Sequence, residues 1–126
     1  MTHKEIRASG APEPIGPYSH ATLAGDTLYC SGFIAIDPQS GELVGSDAAA
    51  QAEQTLKNLS AVLRETNMSF DHVLKTTIYL TDMNDFSAVN GVYAKFFGNN
   101  KPARTTVAAV ALPKGARVEI DAIAKA

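Results

Sequence analysis

Pro102-Ala103-Arg104-Thr105-Thr106-Val107, running on through Ala108 to Leu112, the breaker Pro113-Lys114-Gly115 and then Arg117-Val118-Glu119-Ile120-Asp121-Ala122-Ile123-Ala124, is the stretch that decides the fold. Arg104 to Leu112 alternates and is rich in Val, Thr and Ala; Arg117 to Ala124 alternates again. That patterning predicts two strands joined by a turn. Parity then sorts their faces. Thr105, Val107, Ala109, Val118, Ile120, Ala122 and Ala124 make one nearly continuous apolar face that needs a core, and Arg104, Thr106, Glu119 and Asp121 make the other. A guanidinium and a carboxylate on one face, among small residues, predict an anion clamp beside a proton acceptor.

Upstream, Val73 to Leu80 is β-branched and aromatic enough to be a strand, and Asn84 or Asp85 then caps a helix carrying Phe86, Val89, Tyr93 and Phe96, stopped by Gly98. Those aromatics at helical spacing read as core packing. From Ser46 or Asp47, apolar Ala49, Ala52, Leu56, Leu59 and Leu63 recur at helical spacing to about Asn67. Tyr18 to Ala24 and Thr27 to Ile36 read as two strands about the Gly25-Asp26 turn. The first seventeen residues, broken by Gly10, Pro12, Pro14, Gly16 and Pro17, allow only a short edge strand near Lys4 to Arg7. The order strand, strand, helix, strand, helix, strand, strand predicts an α/β (α+β) mixed sheet with both helices on one face. The bare face would show Tyr29, Tyr79, Ala108, Val110 and Ile123, too apolar for water, so a second copy of the chain is the expected cover, with the site at the seam.

The 126 residues make one domain, 1–126, with 45% hydrophobic and 19% charged residues and a formal charge of −2. No cluster of Lys and Arg marks a nucleic-acid surface. The longest apolar run, Val107 to Leu112, is far too short for a membrane span, and Met1-Thr2-His3-Lys4-Glu5 has no secretory character, so a cytoplasmic address is expected. Cys30 is the single cysteine and reads as a small buried hydrophobe. His3, His20 and His72 lack metal-ligand spacing; only His20 is a cleft candidate, and no metal is expected.

Gly16-Pro17-Tyr18-Ser19, Ser31-Gly32, Asp37-Pro38 with Gly41, Asn90 with Tyr93, Pro102-Ala103-Arg104, and Leu112-Pro113-Lys114-Gly115-Ala116 through Val118-Glu119-Ile120 together resemble the RidA (YjgF/YER057c/UK114) family over essentially the whole chain. The resemblance implies a chorismate-mutase-like fold with a six-stranded mixed sheet, in which the last strand inserts between earlier ones. It also implies a homotrimer with clefts between subunits. The implied activity is cofactor-free hydrolysis of the imines and enamines released by pyridoxal-phosphate-dependent dehydratases, of the 2-iminobutanoate and 2-iminopropanoate type, to a 2-keto acid and ammonia.

Carried over by position, Arg104 would hold the substrate carboxylate and Glu119 would orient or activate water. Tyr18, Ser31, Gly32 and Asn90 would line the cleft, with Thr106 presenting its carbonyl to the imine nitrogen. Phe33 and His20 stand where the family commonly has glutamine, so each adds a ring beside the substrate. Lys101 stands where an aromatic often precedes the Pro-Ala-Arg element.

A guanidinium meets a planar carboxylate with two parallel hydrogen bonds, and imine hydrolysis needs little more than a positioned water and a proton for the leaving nitrogen. Arg104 and Glu119 are expected to pair in the empty cleft, which would keep Glu119 ionised. An arginine at a strand start is more often a surface ion pair, and Tyr18 reads equally well as a core or interface aromatic. Two other functions stay open: a non-catalytic regulator that binds a small carboxylate, and an RNA-cleaving translation inhibitor, which the acidic charge disfavours.

Overall fold

The computed structural model describes residues 2–126. In chain order the elements are β1 (Lys4–Ile6), β2 (Ala21–Ala24), β3 (Thr27–Phe33), α1 (Ala48–Glu65), β4 (Val73–Leu80), α2 (Phe86–Phe97), β5 (Ala103–Ala108) and β6 (Val118–Lys125). The strands form one six-stranded sheet in the order β1-β2-β3-β6-β4-β5. β6 runs antiparallel to both β3 and β4, while β5 lies on the outer edge, parallel to β4.

The two halves of the deciding stretch are therefore not a hairpin. A parallel neighbour of β4 needs a helical crossover, which α2 supplies, and this sends β5 to the outside. Residues 109–117 then carry the chain past the end of β4 into the gap beside β3, where Leu80 O accepts from Ala109 N at 2.7 Å and Arg117 O accepts from Thr81 N at 3.2 Å. The uninterrupted apolar alternation of β6 suits that central place: Val118, Ile120, Ala122 and Ala124 are all buried.

Parity cannot be carried across a connection that is not a hairpin turn, and here it fails. Arg104 sits beside Thr76 and Thr106 beside Ile78, both of which are buried on the helix side, so Arg104 and Thr106 belong to the helix-covered face. Thr105 and Val107 look the other way, with Val107 38% exposed. On β6 the parity expectation holds, leaving Glu119 and Asp121 on the open face.

Both helices pack on one face. Asp47 Oδ1 accepts from Ala50 N at 2.8 Å to start α1, whose Ala52, Leu56, Leu59 and Leu63 are fully buried. In α2 the inward residues are Val89, Tyr93 and Phe97; Phe96 is only partly buried and Phe86 is 38% exposed. Two buried polar residues of α1 tie down the loops that frame the open face. Asn58 donates to Ile34 O and Ile36 O at 3.1 and 2.9 Å, and Gln51 Oε1 accepts from Arg117 N at 2.8 Å. That face shows Tyr29, Tyr79, Val107 and Ile123; Ala108 lies on the other side, beside Leu80, and Val110 projects from the following loop. Among the described residues, no helix is long and apolar enough to cross a membrane.

Candidate active site

On the open face, the ladder between β3 and β6 slips at one point. Cys30 pairs with Ala122 and Phe33 with Ile120, so Ser31 and Gly32 together oppose the single residue Asp121. This bulge flips the alternation of β3. Ser31 stays on the open face, but Phe33, which alternation and the family pattern both put in the cleft, turns into the core and is 7% exposed.

The bulge also creates the seat of Glu119. A Cβ on Gly32 would collide with the Glu119 carboxylate, so only glycine lets that side chain lie against β3. The cavity here, of about 370 Å³, is lined by Glu119, Tyr18, Ser31, Gly32, Ile15 and Pro113 among others. Burial raises the pKa of Glu119 above the ordinary carboxyl value, and the negative charge of Asp121 raises it further. Asp121 is held by the Tyr79 hydroxyl, which donates to its Oδ2 at 3.2 Å.

Ser31 does not offer a free hydroxyl. It donates to Ser19 O at 2.7 Å and so fixes the loop that carries Tyr18, whose own hydroxyl accepts from Ile15 N at 3.3 Å. His20 does not line the Glu119 cavity; it lines a smaller one, of about 40 Å³, together with Tyr18, Gly32 and Phe33. It is 3% exposed, accepts from Ala8 N at Nδ1 (2.9 Å) and donates from Nε2 to Pro12 O (2.6 Å), fastening the N-terminal loop to β2. Its ring lies 6.1 Å from that of Phe33, on the inner side of the sheet. Burial pushes the Cys30 thiol up to about 12, which makes it a packing residue, not a nucleophile.

Arg104 occupies a separate place on the helix side. Its guanidinium carbon is 5.0 Å from the centroid of the Tyr93 ring and 5.5 Å from that of Phe86, so the planar cation rests on aromatic faces. Tyr93 is itself braced by Phe97, stacked at 4.2 Å, and by a 2.7 Å hydrogen bond between its hydroxyl and Thr76 Oγ1. Phe86, read from sequence as core, is thus part of the platform for Arg104. A cavity of about 400 Å³ adjoins it, lined by Asn90, Tyr93, Phe97, Lys101, Pro102 and Arg104 among others. Thr106 lies on the same face, one pleat further along β5.

Arg104 and Glu119 are consequently on opposite faces of one sheet, and neither joins an ion pair: among the described residues the pairs are Lys57 with Glu53 and Lys125 with Asp26. This corrects the expectation of a shared face and of a mutual pair that would keep Glu119 ionised. Within one protomer the candidate residues fall into two separate groups. One holds Arg104, Asn90 and Thr106; the other holds Glu119, Tyr18, Ser31 and Gly32. The aromatic platform and the contact of Asp121 with Tyr79 are not evident from the residue pattern, although Phe86 and Tyr93 are spaced to share one face of α2. No group of His, Cys, Asp and Glu residues among those described is arranged to hold a metal ion.

The model of a protein family described as Endoribonuclease L-PSP matches residues 8–126. Human 2-iminobutanoate/2-iminopropanoate deaminase is 45% identical over 124 residues, spanning 98% of this chain and 90% of that protein. A RutC family protein from Pyrococcus horikoshii is 49% identical over 119 residues, 94% of each. Among solved structures, YyfA of Yersinia pestis, described as a protein of unknown function of the conserved Rid family, superposes with a TM-score of 0.95 at 46% identity, covering 98% of this chain and 99% of that one.

Proposed function

This chain belongs to the Endoribonuclease L-PSP (YjgF/RidA) family, and from that premise we propose that it is a hydrolytic deaminase of reactive 2-imino and enamine acids, releasing a 2-keto acid and ammonia. The observation that carries this reading is a pair of uncompensated groups with complementary tasks: a guanidinium stacked on Tyr93 and Phe86, and a half-buried carboxylate whose proton affinity is raised. The first suits a planar carboxylate. The second suits proton exchange with an attacking water.

The active cleft takes its Arg104 half from one protomer and its Glu119 half from a neighbour. Opposite faces of one sheet cannot meet on one small substrate, whereas a second copy laid against the open face brings the two halves together and covers Tyr29, Val107 and Ile123. A homotrimer closes this arrangement with three equal clefts.

In that cleft the Arg104 fork fixes the substrate carboxylate, with Asn90 and the Thr106 carbonyl beside the imine. Water adds to the C=N carbon as Glu119 takes its proton. That proton passes to the nitrogen to give a carbinolamine, and the hydroxyl proton then follows through the same carboxyl, so ammonia leaves as the C=O bond forms and Glu119 serves as base and then acid in each transfer. Tyr18 and the Ser31-Gly32 bulge shape the wall on the Glu119 side. The chemistry asks for no cofactor, and the substrates come from pyridoxal-phosphate-dependent dehydratases acting on serine and threonine.

Threonine dehydratase supplied with threonine, in the presence and absence of this protein, provides the test. Faster appearance of 2-ketobutyrate, lost in Arg104→Ala and in Glu119→Gln, is the expected result. Binding of 2-ketobutyrate without any acceleration would replace the enzyme by a carboxylate-binding regulator, and RNA cleavage abolished by Arg104→Ala would replace it by a nuclease.

A further inference from the structure

The Arg104 half-site contains a second cation. Lys101 lines the same cavity of about 400 Å³, and no aspartate or glutamate lines it. Neither Lys101 nor Arg104 belongs to the ion pairs of the described residues. Within one protomer the two positive groups of this cavity have no carboxylate beside them; the one a neighbouring protomer brings, Glu119, is engaged with the attacking water, so a single substrate carboxylate answers only one of the two cations.

The two cations differ in kind. Arg104 is oriented by its aromatic platform and offers a fixed fork, which suits the carboxylate next to the reacting carbon. Lys101 is exposed, on a flexible stem, and acts as a point charge that follows a more distant anion. Tyr93, Phe97 and Pro102 give the same wall apolar surface for a methylene chain, beside the amides of Asn90 and Asn100, in a cavity within the ordinary range for ligand pockets and larger than a four-carbon acid fills.

We propose that Lys101 gives this cleft a second carboxylate subsite, so that its substrates include 2-imino acids with an acidic side chain. The proposal rests on the deaminase reading above. The reaction is the same and redox-neutral: water adds across C=N, the nitrogen leaves as ammonia, and a 2-keto dicarboxylate remains. The reactions that would supply such imines are oxidations of acidic amino acids at the α-carbon.

The test compares two imines. 2-Iminoglutarate is generated by a glutamate oxidase with catalase present, 2-iminobutanoate by threonine dehydratase, and the loss of each is followed as its semicarbazone. The wild-type protein should accelerate both. In Lys101→Ala, the ratio of kcat/KM for 2-iminoglutarate to that for 2-iminobutanoate should fall about five- to tenfold, with Lys101→Arg restoring most of it. An unchanged ratio, or hydrolysis of 2-iminobutanoate alone by the wild-type protein, overturns the second subsite while leaving the deaminase intact. Acceleration of neither imine overturns both.

Discussion

Replacing Gly32 by alanine isolates the position of the Glu119 carboxylate from everything else in the fold. Gly32 is not among the residues with positive φ, so alanine fits its backbone without strain. The added Cβ, however, would lie 2.9 Å from Glu119 Cδ and 3.1 Å from Cγ, with a carboxylate oxygen closer still. The carboxyl end must swing aside by roughly 1 Å or more, and a displacement of that size at a reacting group costs about a hundredfold in rate. Stability should barely respond: alanine gains about 0.4–1 kcal/mol from reduced freedom of the unfolded chain, set against the cost of moving one partly exposed side chain. The assay is the dehydratase-coupled release of 2-ketobutyrate beside a thermal melt of the same preparation. Loss of kcat/KM by about two orders of magnitude, with Tm within a few degrees of wild type, is expected. Wild-type kcat/KM in Gly32→Ala would refute the placement of Glu119 at the reacting centre.

Two further perturbations separate tuning from scaffolding. Burial first, and the charge of Asp121 second, hold the Glu119 proton to higher pH, so Asp121→Asn should move the Glu119 limb of the kcat/KM profile to lower pH, with the carboxyl resonance of Glu119 moving the same way. The linked stability effect has a definite sign. A carboxyl protonated more tightly in the fold than in the unfolded chain makes the fold lose stability as pH rises from the ordinary carboxyl value towards the raised one, and Asp121→Asn should flatten that loss. His20→Ala leaves the Ala8 N–H and the Pro12 carbonyl without their partner, which should cost about 2–4 kcal/mol in a denaturant melt. His20→Gln, with one donor and one acceptor on its amide, should recover a large part of it.

Much of this molecule is legible in its residues. The run of Ala52, Leu56, Leu59 and Leu63 after Asp47 fixes α1 and its buried face, and the β-branched Val73 to Leu80 matches β4 to the residue. What stayed hidden depends on pairing, which lies outside local pattern. Alternation within β5 is real, but which face it turns to the core is set by its parallel register with β4, so the pattern alone puts Arg104 on the wrong side. The extra residue at Ser31-Gly32 is visible only once β3 is laid on β6, and it reverses Phe33. His20 reads as a cleft residue from its neighbours Tyr18 and Ser19; its two backbone partners, Ala8 and Pro12, come from a loop whose path no periodicity describes. The family resemblance corrected one error that pattern alone invited, by implying that the last strand inserts between earlier ones, as β6 does between β3 and β4.

Complementation between two inactive variants is the most direct measurement of a cleft assembled from two protomers. Arg104→Ala and Glu119→Gln, each without activity alone, are co-assembled in equal amounts. If each cleft draws Arg104 from one subunit and Glu119 from the next, random mixing leaves about one quarter of clefts with both residues intact, and the mixture should recover about one quarter of wild-type activity. A mixture as inactive as its two components, despite confirmed exchange of subunits, would contradict a shared site.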